Sequence, residues 1–524
     1  MEQETTLPRS RRSGGGRAAR QAARSTPLTG EARPIRAGMQ GGLYAPLAEA
    51  DVARIHEAAL AALAEIGFRR APPSGVAILT GAGAELGEDG RIRFPRALVE
   101  DTLAVACREL TLFGRDPAHD LHLAPNRVHY GTAGAAVSMV DPHAETYRDS
   151  LTQDLYDAAR LVHALDNIHF FQRCMVCRDA DGDLELDLNS IYASCAGTTK
   201  HVGLSFVGPE TLPASLEMLH MIAGGEAKFR ERPFCSNTNC FVVPPLTFAE
   251  ESCKVMEIAV GAGMPVLLLS AGQAGATAPA PIASAIVQAV AECLAGLVYV
   301  NAIRPGAPAI FGTWPFVSDL RTGAMSGGSG EQALLTAACA QMHRHYGLPG
   351  GAAAGIADAK LPDMQAGWEQ AISNVMAGLS GLNMVYEAAG MHASLLGFCF
   401  ESLVLGNDLV GQALRCVRGI EVNDETVSLD VMKAVCLDGP GHYLGSDQTL
   451  RLMQSEYVYP DIADRLSPKE WVEKGRPALL DRATARKNAI LARDAHQIAP
   501  EIDEAIRARF PVKTLIHSHP EVQP

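Results

Sequence analysis

Residues 351–369, GAAAGIADAKLPDMQAGWE, run from small side chains straight into Asp358, Lys360, Asp363 and Gln365. A carboxylate close to an ammonium can orient a polar substrate or move a proton. The same residues can also be a solvated rim pair, Asp358 with Lys360, or, for Asp363, the N-cap of the helix that follows. Other positions invite similar questions. Trp314 offers a flat π-face, and the glycine-rich loop 315–331 after it contains Asp319, Arg321 and Glu331. Such a loop can close over a ligand. It can also cradle an anion at a helix start, although the Lys-Ser/Thr ending of a P-loop is missing. Gln273, Glu387 and His442 (on the tight turn GPGHYL) complete the candidates, while Cys174 and Cys177 form an isolated C-x2-C with no second pair. No metal site is expected from that pattern.

These residues fall at repeated positions in a regular rhythm. From residue 128 a short apolar or β-branched run, a polar or glycine-rich corner and a longer helical pattern recur eight times. The strand segments lie within VHYGTAGAAVSMVD, IHFFQRCMV, HVGLSFV, FCSNTNCFVV, PVLLLSAG, PAIFGTW, GAAAGIAD and LNMVYEAAG. Gly and Pro punctuate the returns GAGMP, RPGAP, YGLPG and SGLN, where a left-handed cap or a missing N–H stops a helix. Short strands alternating with long helices require parallel pairing, and eight units is the number that closes a (β/α)8 TIM barrel. An open doubly wound sheet is the alternative, but no strand leads into a clean GxGxxG. In a barrel, chemistry belongs at the C-terminal strand ends. Gln273 then falls at the end of strand five, Trp314 at strand six, Asp358 and Lys360 at strand seven and Glu387 at strand eight. His343 and His345, late in a helix, read as solvent-facing or as compensating the helix dipole, not as metal ligands.

The expected organisation is a disordered Arg/Gly-rich tail over 1–40, an N-terminal helical and α+β addition over 41–127, the barrel over 128–420, and C-terminal helices and loops over 421–524. Arg11 and Arg12 are not followed by an apolar h-region, so export is not expected. A net charge of −14 argues against a nucleic-acid partner. The most apolar stretch, Ile282–Ile303, includes Gln288, Glu292 and Asn301 and reads as a buried helix, so no membrane partner is expected. Twelve Cys scattered through apolar segments suit reduced thiols in a cytoplasmic enzyme.

Several long blocks, TAPAPIASAIVQAVAECLAGLVYVNAIRPGAPAIFGTWP, DLRTG, GSGEQAL, YGLPGGAAAGIADAKLPDMQAGWEQ and GPGHYLGSDQTL, resemble the trimethylamine:corrinoid methyltransferase family. The helix IHEAALAALAEIGF and the Arg/Gly-rich leader also look like that family. The resemblance covers nearly the whole chain and implies a (β/α)8 barrel. It also implies methyl transfer from a methylated amine to the cobalt of a separate corrinoid (cobalamin) protein, with no cofactor bound by this chain. Family members that use trimethylamine are associated with pyrrolysine, and this chain contains only ordinary residues. It therefore resembles the non-pyrrolysine branch, whose substrates are quaternary amines such as glycine betaine.

On that basis Trp314 is expected to contact the cation. Arg321 or Lys360 would hold a betaine carboxylate, with Asp358 and Glu387 orienting them and Gln273, Asp319, Glu331 and His442 lining the substrate site. A homo-oligomer is expected. The alternatives are trimethylamine as substrate, a non-corrinoid acceptor such as a folate, a metal-dependent lyase or hydrolase on the same fold, and a non-catalytic betaine-binding barrel.

Overall fold

A computed structural model describes residues 44–519 apart from 421, 438 and 445; the expected flexible tail, 1–40, lies outside the described residues. Eight short parallel strands are present: β1 His129–Tyr130, β2 Phe171–Gln172, β3 Val202–Leu204, β4 Cys235–Asn239, β5 Val266–Ser270, β6 Ala309–Thr313, β7 Gly351–Ala353 and β8 Met384–Tyr386. Each is followed by a helix: α1 Thr152–Ala164, α2 Asp183–Gly197, α3 Leu212–Ala223, α4 Glu250–Gly261, α5 Ile282–Ile303, α6 Gly330–Tyr346, α7 Met364–Leu379 and α8 Phe400–Arg418. The fold is thus mixed α/β, with the strand–helix alternation read from the sequence.

The strands form a five-stranded sheet, ordered β6-β5-β4-β3-β2, and a three-stranded sheet, ordered β7-β8-β1. Isolated parallel bridges join Phe311 to Gly350 and Gly131 to Phe170, linking the edge strands of one sheet to those of the other.

Side-chain contacts fix which strand face meets the helices. Thr313 Oγ1 is 2.6 Å from His343 Nε2 on α6. Ser270 Oγ donates to Glu292 on α5 at 2.5 Å, and Tyr130 Oη donates to the Asn374 carbonyl of α7 at 2.9 Å. Alternation along a strand then puts Gly131, Leu269, Gly312, Trp314 and Tyr386 on the opposite face. His343 is therefore not solvent-facing: it is 3 % exposed, because its face of α6 packs on β6.

Short extra strands sit between several of the eight parallel strands and their helices, where sequence periodicity gives no signal. Ser138–Asp141 pairs with Thr146–Asp149, and Gly397–Phe398 joins that ribbon, tying the corners after β1 and β8 together. Gln273–Ala274 pairs with Phe316–Ser318, which ties the corners after β5 and β6. The C-terminal strand ends are thereby covered by linked loops.

Helix α5 is the one helix among the described residues long and apolar enough to cross a membrane. It is packed inside the protein, with Glu49–Ala61, Pro73–Gly81 and Arg96–Val105 of the N-terminal region against it. Behind α8, Lys487 Nζ meets Glu401 Oε1 at 2.6 Å, and Asp408 accepts from the amides of Asp461, Ile462 and Ala463. These contacts fasten the C-terminal helices to the core.

Candidate functional site

Three aromatic rings meet on the inner face of the strands. The Trp314 and Tyr386 ring centroids are 5.1 Å apart, and those of Tyr386 and Phe170 are also 5.1 Å apart with planes inclined at 71°. Two glycines make this possible. A Cβ on Gly351 would come 2.6 Å from the Tyr386 ring, and one on Gly131 would come 2.4 Å from the Phe170 ring. The absent side chain of Gly351 on β7 is therefore space for Tyr386. Trp314 is 5 % exposed, and its indole Nε1 has no acceptor among the described residues. Burial pushes the Tyr386 phenol far above its ordinary pKa, so it stays neutral.

Glu387 follows directly, at the end of β8. Its backbone is left-handed, φ 63°, an unusual conformation for a residue with a side chain. It is 1 % exposed, and its Oε2 has no partner among the described residues. Burial alone pushes its pKa up to about 8. Near neutral pH it is a protonated acid, not an anion. A Cβ on Gly134 would lie 3.4 Å from Glu387 Oε1 and 3.7 Å from the Cys174 carbonyl, which locates the acid beside the corners after β1 and β2.

The charged stretch after β7 has a different arrangement from the expected one. Asp358 accepts from Ser326 Oγ at 2.8 Å, Gly327 N at 2.8 Å and Ser394 Oγ at 2.7 Å. Both its oxygens are thus occupied in fastening the corners after β6 and β8. Lys360 is exposed and donates to the Asp358 backbone carbonyl at 2.6 Å, so it forms no ion pair with that carboxylate. Glu369 Oε2 accepts from the Asp358 and Ala359 amides at 2.8 and 3.2 Å. Asp363 is the N-cap of α7, accepting from Ala366 N at 3.0 Å.

The loop after β6 is likewise self-contained. Arg321 and Asp319 form a two-pronged pair, Nη2–Oδ2 at 2.8 Å and Nε–Oδ1 at 3.1 Å, and Arg321 is exposed. Arg321 therefore does not extend a free guanidinium into the aromatic site, contrary to expectation. The pairing also holds the Asp319 carboxyl down at about 2. Gln273 accepts from Ser318 Oγ at 3.1 Å. Glu331 is exposed in the first turn of α6, and His442 is exposed between the helices Leu429–Cys436 and Asp447–Glu456. The structure brings Trp314 and Glu387 into the enclosed strand-end region and leaves Lys360, Arg321, Glu331 and His442 on the outside.

Phe170 and Tyr386 were missed from the sequence, where both looked like ordinary core.

Parallel strands that deliver aromatic and carboxyl groups to one end describe an α/β enzyme. The sequence then gives the family: the profile of the trimethylamine methyltransferase (MTTB) family matches residues 12–513, and the chain belongs to it. It is a methyltransferase. Similar proteins include trimethylamine methyltransferase MttB of Desulfitobacterium hafniense, 28% identical over 89% of this chain and 93% of that one. Glycine betaine methyltransferase of the same species is 29% identical over 89% of this chain and 96% of that one. Among solved structures, Yersinia pestis dihydropteroate synthase covers 58% of this chain and 98% of its own at 13% identity and a TM-score of 0.33, too slight a likeness to bear on the fold.

Proposed function

We propose that this methyltransferase removes a methyl group from a quaternary amine, glycine betaine or a related betaine, and delivers it to the Co(I) of a corrinoid carried by a separate protein. The observation that carries this reading is the enclosed aromatic run Phe170–Tyr386–Trp314. Aromatic faces hold a quaternary ammonium without water, at about 0.5–2 kcal/mol each. Glu387, protonated at neutral pH, leaves the surroundings free of a full negative charge. An ionised carboxylate against the cation would stabilise the bound substrate more than the transition state, in which the positive charge is being lost. A dry, neutral, aromatic wall avoids that penalty.

In the transfer, the C–N bond breaks with its electron pair left on nitrogen. The acceptor supplies the nucleophile. The departing tertiary amine is neutral, so no proton has to be delivered to it. Glu387 gives a second reading, with trimethylamine as substrate: its amide-like leaving group would need a proton, and a buried carboxylic acid can give one.

We further assign the eight strands to one closed (β/α)8 barrel, with residues 41–127 and 421–524 as additions packed on it. The bridges Phe311–Gly350 and Gly131–Phe170 support that closure, since they supply the parallel links between the two sheets. We assign the enzyme to the cytoplasm, in keeping with its unpaired cysteines, and expect it to be a homo-oligomer.

The experiment is methylation of a reduced corrinoid protein by the purified enzyme, followed by methyl-cobalt absorbance. The amines offered are trimethylamine, glycine betaine, carnitine and proline betaine. Methylation from a betaine but not from trimethylamine is expected. Turnover of trimethylamine alone would replace the first reading with the second, and binding without methylation would leave a betaine-binding protein or a different acceptor.

A further inference from the structure

Two polar side chains share the inner face of the strands with the aromatic run. Gln172 stands two residues after Phe170, about 7 Å along β2, and alternation turns both to the same face. The register agrees. Gln172 is opposite Gly203 on β3, and its Oε1 occupies the space that a Cβ on Gly203 would fill. The amide therefore lies across the inner face of β3, next to the ring that meets Tyr386. Gln172 is 3 % exposed, and its amide enters no hydrogen bond among the described residues.

Thr238 on β4 stands on the far side of β3. Asn239 Nδ2 donates to the Ser252 carbonyl of α4 at 2.9 Å, so Asn239 faces the helices and its neighbour Thr238 faces inward. Thr238 Oγ1 is buried and has no partner among the described residues. Ser236, two residues earlier, is level with Gly203 and so with Gln172, but its hydroxyl is engaged with His201 Nε2 at 3.0 Å. Strands β2 and β4 are about 10 Å apart across the sheet, and the Gln172 side chain spans part of that interval. The amide and the Thr238 hydroxyl thus border one space beside Phe170. Buried amides and hydroxyls are nearly always hydrogen-bonded, since leaving them unpaired away from water is unfavourable. The described residues supply no partner, so it comes from a molecule that enters.

We propose that Gln172 and Thr238 are the carboxylate-recognising residues of this enzyme, donating from Nε2 and Oγ1 to the carboxylate of a zwitterionic quaternary amine. This rests on the reading that the aromatic run holds the ammonium end. It replaces Arg321 and Lys360, whose donors are engaged elsewhere, as the anchor. Neutral donors suit such a ligand. In glycine betaine the carboxylate is one methylene from the ammonium, so a fixed cation placed on the carboxylate would also repel the ammonium. An amide and a hydroxyl hold the anionic end without that repulsion, and the two charges of the ligand compensate each other.

Calorimetry on the full-length protein with glycine betaine and tetramethylammonium tests this, because only the first carries a carboxylate. Gln172→Met removes the amide at nearly constant length, and Thr238→Val removes the hydroxyl at nearly constant shape. Each is expected to weaken glycine betaine by about 10- to 100-fold, the loss of a hydrogen bond to a charged acceptor, and to leave tetramethylammonium within a few-fold. Thermal melts show which variants remain folded, and either one alone carries the comparison. Equal losses for the two ligands, an unchanged affinity for glycine betaine, or no glycine betaine binding by the wild type overturns the proposal. In each of those cases, tetramethylammonium binding by the wild type keeps the aromatic reading. Wild-type protein that binds glycine betaine through Gln172 but does not bind tetramethylammonium would instead sink the aromatic reading and leave this proposal standing.

Discussion

The indole of Trp314 and the phenol ring of Tyr386 face each other across the strand ends, centroids 5.1 Å apart and planes inclined at 43°. The Trp314 indole is not held by a hydrogen bond, since its Nε1 has no acceptor among the described residues. What the pair presents is π-surface. Trp314→Phe keeps such a surface, while Trp314→Leu keeps comparable apolar bulk without it. The Phe variant should bind tetramethylammonium within a few-fold of wild type, and the Leu variant about 10-fold more weakly. Titration of both by calorimetry decides the matter: equal affinities would mean that Trp314 is packing alone.

Glu387 makes a prediction about pH. Its folded pKa of about 8 lies above the ordinary 4.5, so the folded state keeps a proton that the unfolded state has already lost. The sign follows: this residue lowers stability as pH rises from about 4.5 to 8, by up to about 1.4 kcal/mol for each pH unit, and no further beyond. Glu387→Gln is neutral throughout. Thermal melts should show the variant gaining on wild type steadily between pH 5 and 8. A constant difference across that range would mean that Glu387 is already ionised at pH 5.

The eight-fold alternation was legible because each helix of the series runs at least a dozen residues and most strands lie in short apolar or β-branched runs, the polar β4 (CSNTN) being the exception. The corners were legible too, and Trp314 and Glu387 could be nominated from them. The partners were not. Asp358 and Lys360 are two residues apart and opposite in charge, yet the carboxylate is satisfied from Ser326 and Ser394, 32 and 36 positions away. Such long-range hydroxyl donors leave no local pattern. Tyr386 and Phe170 were hidden for another reason: an aromatic residue in a strand looks the same whether it fills a core or lines a site. His343 was misread because a helix end near Arg344 and His345 suggests solvent, while the residue's own face packs on β6.

Gly351 offers a steric test of the aromatic site. Its missing Cβ would sit 2.6 Å from the Tyr386 ring, closer than side-chain carbons approach. Gly351→Ala should therefore displace Tyr386, lower stability by about 1–3 kcal/mol through overpacking, and weaken glycine betaine binding about 10-fold. Combining it with Tyr386→Leu should recover most of the stability but not the binding. If the double variant is as unstable as the single one, the strain lies elsewhere than against Tyr386.

Asp358 distinguishes a fastening role from a chemical one. Its two oxygens take three donors from the corners after β6 and β8. Removing the acceptor leaves Gly327 N and two hydroxyls without it, at about 1–3 kcal/mol for each group that stays buried. Asp358→Ala should therefore melt several degrees lower and expose the loop 319–329 to proteolysis. Asp358→Asn retains one acceptor oxygen but turns an NH2 toward a donor, so it should fall between the two. In either variant the turnover of the molecules that remain folded should change less than KM, because the loop is loosened while the aromatic wall and Glu387 stay in place. A variant with wild-type melting and protease resistance but with kcat lost would reverse this assignment, returning Asp358 to the chemistry that its carboxylate offers when read from the sequence alone.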